Sequence, residues 1–238
     1  MSKIGENAQR IQEEVARAAL EAGRDPSEVS ILAATKYTDR AGVIELLSAG
    51  IEFIGENRVQ EALAKLGPAP DGKQDDIRDE FPDCRLHMIG HLQTNKVNHA
   101  LRLFNVIETV DRVSLADALE VRLTSVDGIL PVFIEVKLTG EETKAGCSPA
   151  ELPILLDHLW VHCPRLGVRG LMGMGPWDPN PETARPCYRS LKGLFDENRP
   201  HSPNPSLFDT ISMGMSADFR VAIQEGATLV RIGRALFA

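Results

Sequence analysis

Short, nearly continuous apolar runs alternate along this chain with longer stretches whose apolar residues recur at helical spacing. Eight runs read as strands: 29–34, 51–54, 86–89, 106–109, 129–136, 168–172, 207–211 and 228–232. The clearest is I-L-P-V-F-I-E-V at 129–136, and such unbroken apolarity suits strands covered on both faces. Helical patterning fills the intervals. It predicts a helix at 6–23 through Ile11, Val15, Ala18 and Ala19, stopped by Gly23 and Asp25-Pro26. Further helices are predicted at 38–48 behind a Thr38-Asp39 cap, at 58–66 and at 94–103. Another, with Leu115, Ala118, Leu119 and Leu123 on its apolar side, leads to an Asp127-Gly128 turn, and one is opened by Ser148-Pro149. The last three are 181–198, 217–224 and a short terminal one after Gly233. The polar segment 67–83 reads as mixed loop and short helix.

Eight strands, each followed by helical sequence, in 238 residues come close to the ~250 of a (β/α)8 barrel. The expected fold is therefore α/β: one TIM barrel over residues 1–238, with an additional N-terminal helix. A doubly wound open sheet stays open at this point, because periodicity does not reveal closure. Neither G-x-G-x-x-G after the first strand nor G-x-x-x-x-G-K-[ST] anywhere is present, so the common nucleotide fingerprints are missing.

Composition narrows the function classes. With 26 Lys plus Arg against 34 Asp plus Glu, the formal net charge of −8 argues against broad nucleic-acid binding. No stretch is long and apolar enough to span a membrane, and the N-terminus has no signal-like apolar segment. The four cysteines, Cys84, Cys147, Cys163 and Cys187, form no C-x-x-C. His158 and His162 neighbour Cys163, but nothing nearby in sequence completes a metal site. Unpaired thiols in a reducing compartment, no metal and a cytoplasmic location are the expectations.

In a barrel the residues just after each strand converge on one rim. Here these are Lys36, Asn57, His91, Asp111, Lys137, the Gly173–Gly175 turn, Ser212 with Met213-Gly214, and Arg231 with Gly233. Lys36 is the best nucleophile, since an amine near barrel wall and other cations condenses with a carbonyl when neutral. The loops S-M-G-M-S at 212–216 and R-I-G-R at 231–234 offer backbone N–H groups and the Ser212 hydroxyl to a phosphate. Arg231 would meet a ring nitrogen of a ligand or pair with a barrel carboxylate such as Glu135. A lysine imine, a phosphate anchor and a ring-nitrogen partner together suit pyridoxal phosphate (PLP). A sugar-phosphate aldolase would share the first two, but no strand-end residue stands out as its acid–base group.

Longer segments carry a resemblance: A-A-T-K at 33–36, F-I-G-E-N-R-V-Q-E-A at 53–62, H-M-I-G-H-L-Q-T-N-K at 87–96 and E-T-V-D-R at 108–112. To these add E-V-K-L-T-G-E-E-T-K-A-G at 135–146, R-G-L-M at 169–172, F-D-T-I-S-M-G-M-S-A-D-F at 208–219 and V-R-I-G at 230–233. The chain resembles the PLP homeostasis protein family (YggS-like, or proline synthase co-transcribed), which is similar to the barrel domain of alanine racemase. The resemblance implies PLP held as an imine on Lys36, with Asn57 beside it. It also implies Ser212, Gly233 and Arg234 at the phosphate, and Arg231 facing the pyridine nitrogen. Two departures stand out: K-Y-T-D follows the lysine where the family often has K-x-x-P, and Arg85-Leu86 replaces an aromatic expected near His87.

The resemblance further implies a protein that keeps PLP and other B6 vitamers in balance without established turnover. The chain's end at Ala238 leads us to expect no second racemase domain and no tyrosine from it; Tyr37, next to Lys36, is expected to pack away from the ligand. The runner-up is a weak amino-acid racemase using Lys36, and a third reading is a ligand-free scaffold acting through protein contacts. A monomer with transient contacts to PLP-dependent apoenzymes is expected, and no nucleic-acid or membrane partner.

Overall fold

The computed structural model describes residues 2–69, 71–124, 128–139 and 145–238. Asp127 of the expected turn, and residues 140–144 of the polar loop at 139–146, lie outside the described residues. Eight parallel strands close a barrel in chain order: β1 (Ser30–Ala34), β2 (Phe53–Glu56), β3 (Arg85–Met88), β4 (Val106–Val110), β5 (Leu130–Val136), β6 (Leu166–Gly173), β7 (Thr210–Met215) and β8 (Leu229–Ile232). Pairing of Leu32 with Arg231 joins β1 to β8, which excludes the open sheet.

The surrounding helices are α1 (Lys3–Glu21), α2 (Arg40–Ser48), α3 (Val59–Leu66), α4 (Ile77–Glu80), α5 (Val97–Leu103), α6 (Val113–Leu123), α7 (Leu152–His162), α8 (Arg185–Asn198), α9 (Phe219–Gln224) and α10 (Arg234–Phe237). The additional helix, α1, buries Ile11, Val15, Ala18 and Ala19 and packs against α2, α9 and α10. Asp39 caps α2 by accepting from Gly42 N at 3.0 Å, as its sequence position predicts.

Ser148 caps α7 as its position predicts: Ser148 N donates to Glu151 Oε2 at 2.8 Å, Ser148 Oγ accepts from Glu151 N at 3.3 Å, and the regular helix begins at Leu152. One expectation changes. The seventh strand starts three residues later than its apolar run, because Phe208 leaves the strand to stack on Phe195 at 4.8 Å. As a result S-M-G-M is strand rather than rim loop. Gly214 sits there at φ +92°, where a Cβ would come within 2.5 Å of Ala222 on α9, so the close packing of β7 on α9 requires glycine.

Alternation along each strand sorts the core into two layers. Odd-man-out residues such as Ala33, Ile107, Met213 and Val230 face the helices, while Leu32, Val106, Phe133, Met172 and Leu229 fill the lumen. The same parity turns His87, Glu108, Glu135, Ser212 and Arg231 inward, so the lumen carries a charged layer above its apolar plug.

Candidate functional site

A cavity of about 410 Å³ opens at one mouth of the barrel. It is lined from β1 and its turn by Ala34, Lys36 and Tyr37, and from β2 and β3 by Asn57 and Ile89. The ends of β7 and β8 and the loops after β6, β7 and β8 add Met174, Pro176 to Asp178, Met215 to Asp218, and Arg231, Gly233 and Arg234. Thus Lys36, Asn57, Arg231, Gly233 and Arg234 converge as their positions after or near the ends of strands suggest.

Lys36 lies two residues beyond β1, in a turn closed by Thr38 N bonding Thr35 O at 3.1 Å. Its side chain is exposed, and Nζ stands 4.9 Å from the centroid of the Tyr37 ring. Tyr37 therefore lines the cavity and does not pack away from it. Strand alternation stops at Ala34, so it no longer governs where Tyr37 points. The turn itself is pinned from behind. Lys65 Nζ on α3 donates to Thr35 O at 2.8 Å and Thr38 O at 3.0 Å, and pairs with buried Glu56 at 2.5 Å.

Asn57 follows β2. Its carbonyl lies so close to Gly90 that a Cβ there would fall 2.2 Å from it, so only glycine lets the turns after β2 and β3 touch.

Arg231 is buried in the floor of the cavity, where NH1 donates to Ser212 Oγ at 2.7 Å and NH2 to Gly173 O at 2.9 Å. Ser212 donates onward to Glu108 Oε2 at 2.6 Å, and the other oxygen of Glu108 meets His87 Nδ1 at 2.6 Å. Arg231 thus does not take Glu135, the barrel carboxylate expected for it, as a partner. Glu135 makes no ion pair with it, and Glu135 Oε2 has no hydrogen-bond partner among the described residues. Burial, and then the charges of Asp111 and Glu108, push the Glu135 carboxyl up to about 7, with Arg231 opposing.

Ser212 is fully buried inside β7 and does not line the cavity, because the strand runs on past it to Met215. The serine at the mouth is Ser216, whose Oγ accepts from Gly233 N at 3.2 Å and so ties the β7 and β8 loops together. Among the described residues the backbone N–H groups of Ser216 and Ala217 find no acceptor. They form an open donor face beside Arg234. Asp218 shapes that loop by accepting from Met215 N at 2.6 Å. Sequence reasoning missed Ser216, Asp218, Trp177 and Tyr37. The second serine of S-M-G-M-S and the P-W-D after the Gly173–Gly175 turn were the available signals.

His91 and Asp111 lie 3.6 Å apart and, like Lys137, do not line the cavity. Cys84, Cys147 and Cys163 are buried thiols, while Cys187 Sγ contacts Leu138 O at 3.4 Å.

A family model described as "Alanine racemase, N-terminal domain" matches residues 6–238. The pyridoxal phosphate homeostasis protein of Aquifex aeolicus is 39% identical over 98% of this chain and 96% of its own length. That of Pseudomonas aeruginosa is 38% identical over 100% and 96%. The chain belongs to the pyridoxal phosphate homeostasis protein family. Among solved structures it is similar to PipY of Synechococcus elongatus PCC7942, determined with PLP bound, at 31% identity and a TM-score of 0.80. That match covers 98% of this chain and 100% of PipY.

Proposed function

We propose that this chain binds pyridoxal 5'-phosphate at the barrel mouth and serves B6-vitamer homeostasis by holding and releasing it without robust turnover. The observation that carries the reading is the meeting, in one cavity, of an accessible amine, a loop face of free N–H donors and a buried guanidinium. The cavity, about 410 Å³, is of the size that small-ligand sites have. The residues fit the group. PLP supplies an aldehyde that condenses reversibly with amines.

Lys36 is the amine that would make the link, and its exposure leaves the reaction open to exchange. Asn57 and Tyr37 flank it. Ser216 and Ala217 would hold the phosphate with backbone N–H groups and Arg234 with its guanidinium, beside Gly233, whose own N–H is held by Ser216 Oγ. Ser212 acts one step removed, by fixing Arg231. Arg231, a guanidinium lining the cavity, would oppose protonation of a ring nitrogen that faced it, which suits a carrier better than a carbanion catalyst.

The wider reading is one barrel domain over residues 1–238, acting as a cytoplasmic monomer with transient contacts to PLP-dependent apoenzymes. The −8 net charge speaks against nucleic acid. Among the described residues no helix is long and apolar enough to cross a membrane.

The test is turnover. PLP-loaded protein incubated with L-alanine should form D-alanine no faster than free PLP does. Steady racemisation that disappears in Lys36→Ala would replace this reading with that of a weak racemase.

A further inference from the structure

A second cluster of chemically competent side chains lies on the outside of the barrel, where α6 packs beside α7. His158 Nε2 and Asp117 Oδ1, 41 residues apart in sequence, meet at 2.7 Å. Cys163, directly after α7, joins them, so that one nitrogen, one oxygen and one sulfur all lie within 4.8 Å of one another. His162, one helical turn beyond His158, brings its ring to 5.0 Å from the His158 ring. None of these residues lines the mouth cavity.

We propose that Asp117, His158 and Cys163 form a zinc-class metal site, with His162 or water as the fourth ligand. The donor set is the ground for that choice. A thiolate, an imidazole and a carboxylate match a borderline-soft, four-coordinate ion with bonds of about 2.0–2.3 Å. Calcium and magnesium prefer all-oxygen shells. Seating an ion opens the 2.7 Å His158–Asp117 pair by about 0.6 Å and draws the Cys163 sulfur in by about 1 Å, within the reach of side-chain rotation.

The surroundings are electrostatically prepared for a cation. Glu120 stands one turn from Asp117, already paired with Arg165 at 2.9 Å. Asp117 remains half exposed, with His158 against it. When a dication binds, the Cys163 thiol gives its proton to solvent and the sulfur becomes a ligand. The site then staples α6 to the end of α7 and stabilises the folded chain by mass action.

Cobalt(II) is the probe. Full-length protein, treated with chelator and dialysed, should take up one equivalent. It should develop visible bands of tetrahedral cobalt together with a near-ultraviolet thiolate charge-transfer band, and zinc should displace it. Cys163→Ser should lose the charge-transfer band although three other cysteines remain. Asp117→Asn, at a half-exposed position that leaves folding intact, should weaken cobalt binding at least about tenfold. Lys36→Ala should keep the full spectrum, which separates this site from the mouth. Zinc should raise the melting temperature of the parent and not of Cys163→Ser. A pale octahedral spectrum, or a charge-transfer band that persists in Cys163→Ser, overturns the assignment.

Discussion

Lys65 Nζ sits 2.5 Å from Glu56 Oε1, and this pair supports the turn that presents Lys36. Both partners are largely buried, and Thr35 Oγ1 shares the same carboxylate oxygen at 2.5 Å. With Thr35 O and Thr38 O as its other acceptors, the ammonium spends two donors on this turn and the third on the end of β2. Lys65→Met leaves Glu56 charged and buried without a cation. Urea unfolding is expected to show a loss of about 3 kcal/mol, as for other broken buried pairs. A loss below about 1 kcal/mol would mean that Thr35 and water suffice for Glu56.

Gly90 and Gly193 make opposite predictions for the same substitution. An alanine Cβ at 90 would lie 2.2 Å from the Asn57 carbonyl, which is backbone and has no side chain to swing away. Gly90→Ala should cost more than about 2 kcal/mol and weaken PLP uptake through displaced Asn57. Gly193, exposed within α8, has nothing within 4 Å of such a Cβ. Gly193→Ala should stabilise by about 0.5–1 kcal/mol and leave PLP uptake unchanged, as thermal melts and titration would register.

Glu135 predicts a pH dependence. Its carboxyl is raised from 4.5 to about 7 in the fold, so between those values the native state holds more protons than the unfolded chain. Stability therefore falls as pH rises through that window. Glu135→Gln removes the penalty. At pH 8 the variant should exceed the parent by an amount on the order of 3 kcal/mol, and near pH 4.5 the two should converge. Equal slopes of stability against pH for parent and variant would contradict the raised carboxyl.

The two serines of S-M-G-M-S should separate stability from binding. Ser212→Ala strands an oxygen of Glu108 and a donor of Arg231, and is expected to cost about 1–3 kcal/mol while folded protein still takes up PLP. Ser216→Ala touches only the mouth loops. It should leave the melt nearly unchanged and weaken PLP binding, measured by titration at fixed ionic strength.

Much of this was legible in the chain. Continuous apolar runs such as 129–136 mark the strands because both faces of a barrel strand are covered, and Asp39 and Gly50 bracket α2 by cap chemistry. What the pattern does not carry is which apolar residue leaves a strand. Phe208 looks like strand but serves the helix layer, and that shift moved Ser212 from the rim into the lumen. Tyr37 is similar, since a turn begins one residue after Ala34 and cancels alternation. Asp117 reaches Cys163 only through the packing of α6 on α7, a contact with no local signature.

The most direct test of the account is the site of attachment. Purified protein loaded with PLP, reduced with borohydride and mapped by peptide mass should carry the adduct on Lys36. A violet absorption band should be present before reduction and absent in Lys36→Ala. An adduct on Lys137, or no uptake of PLP by the folded parent, would contradict it.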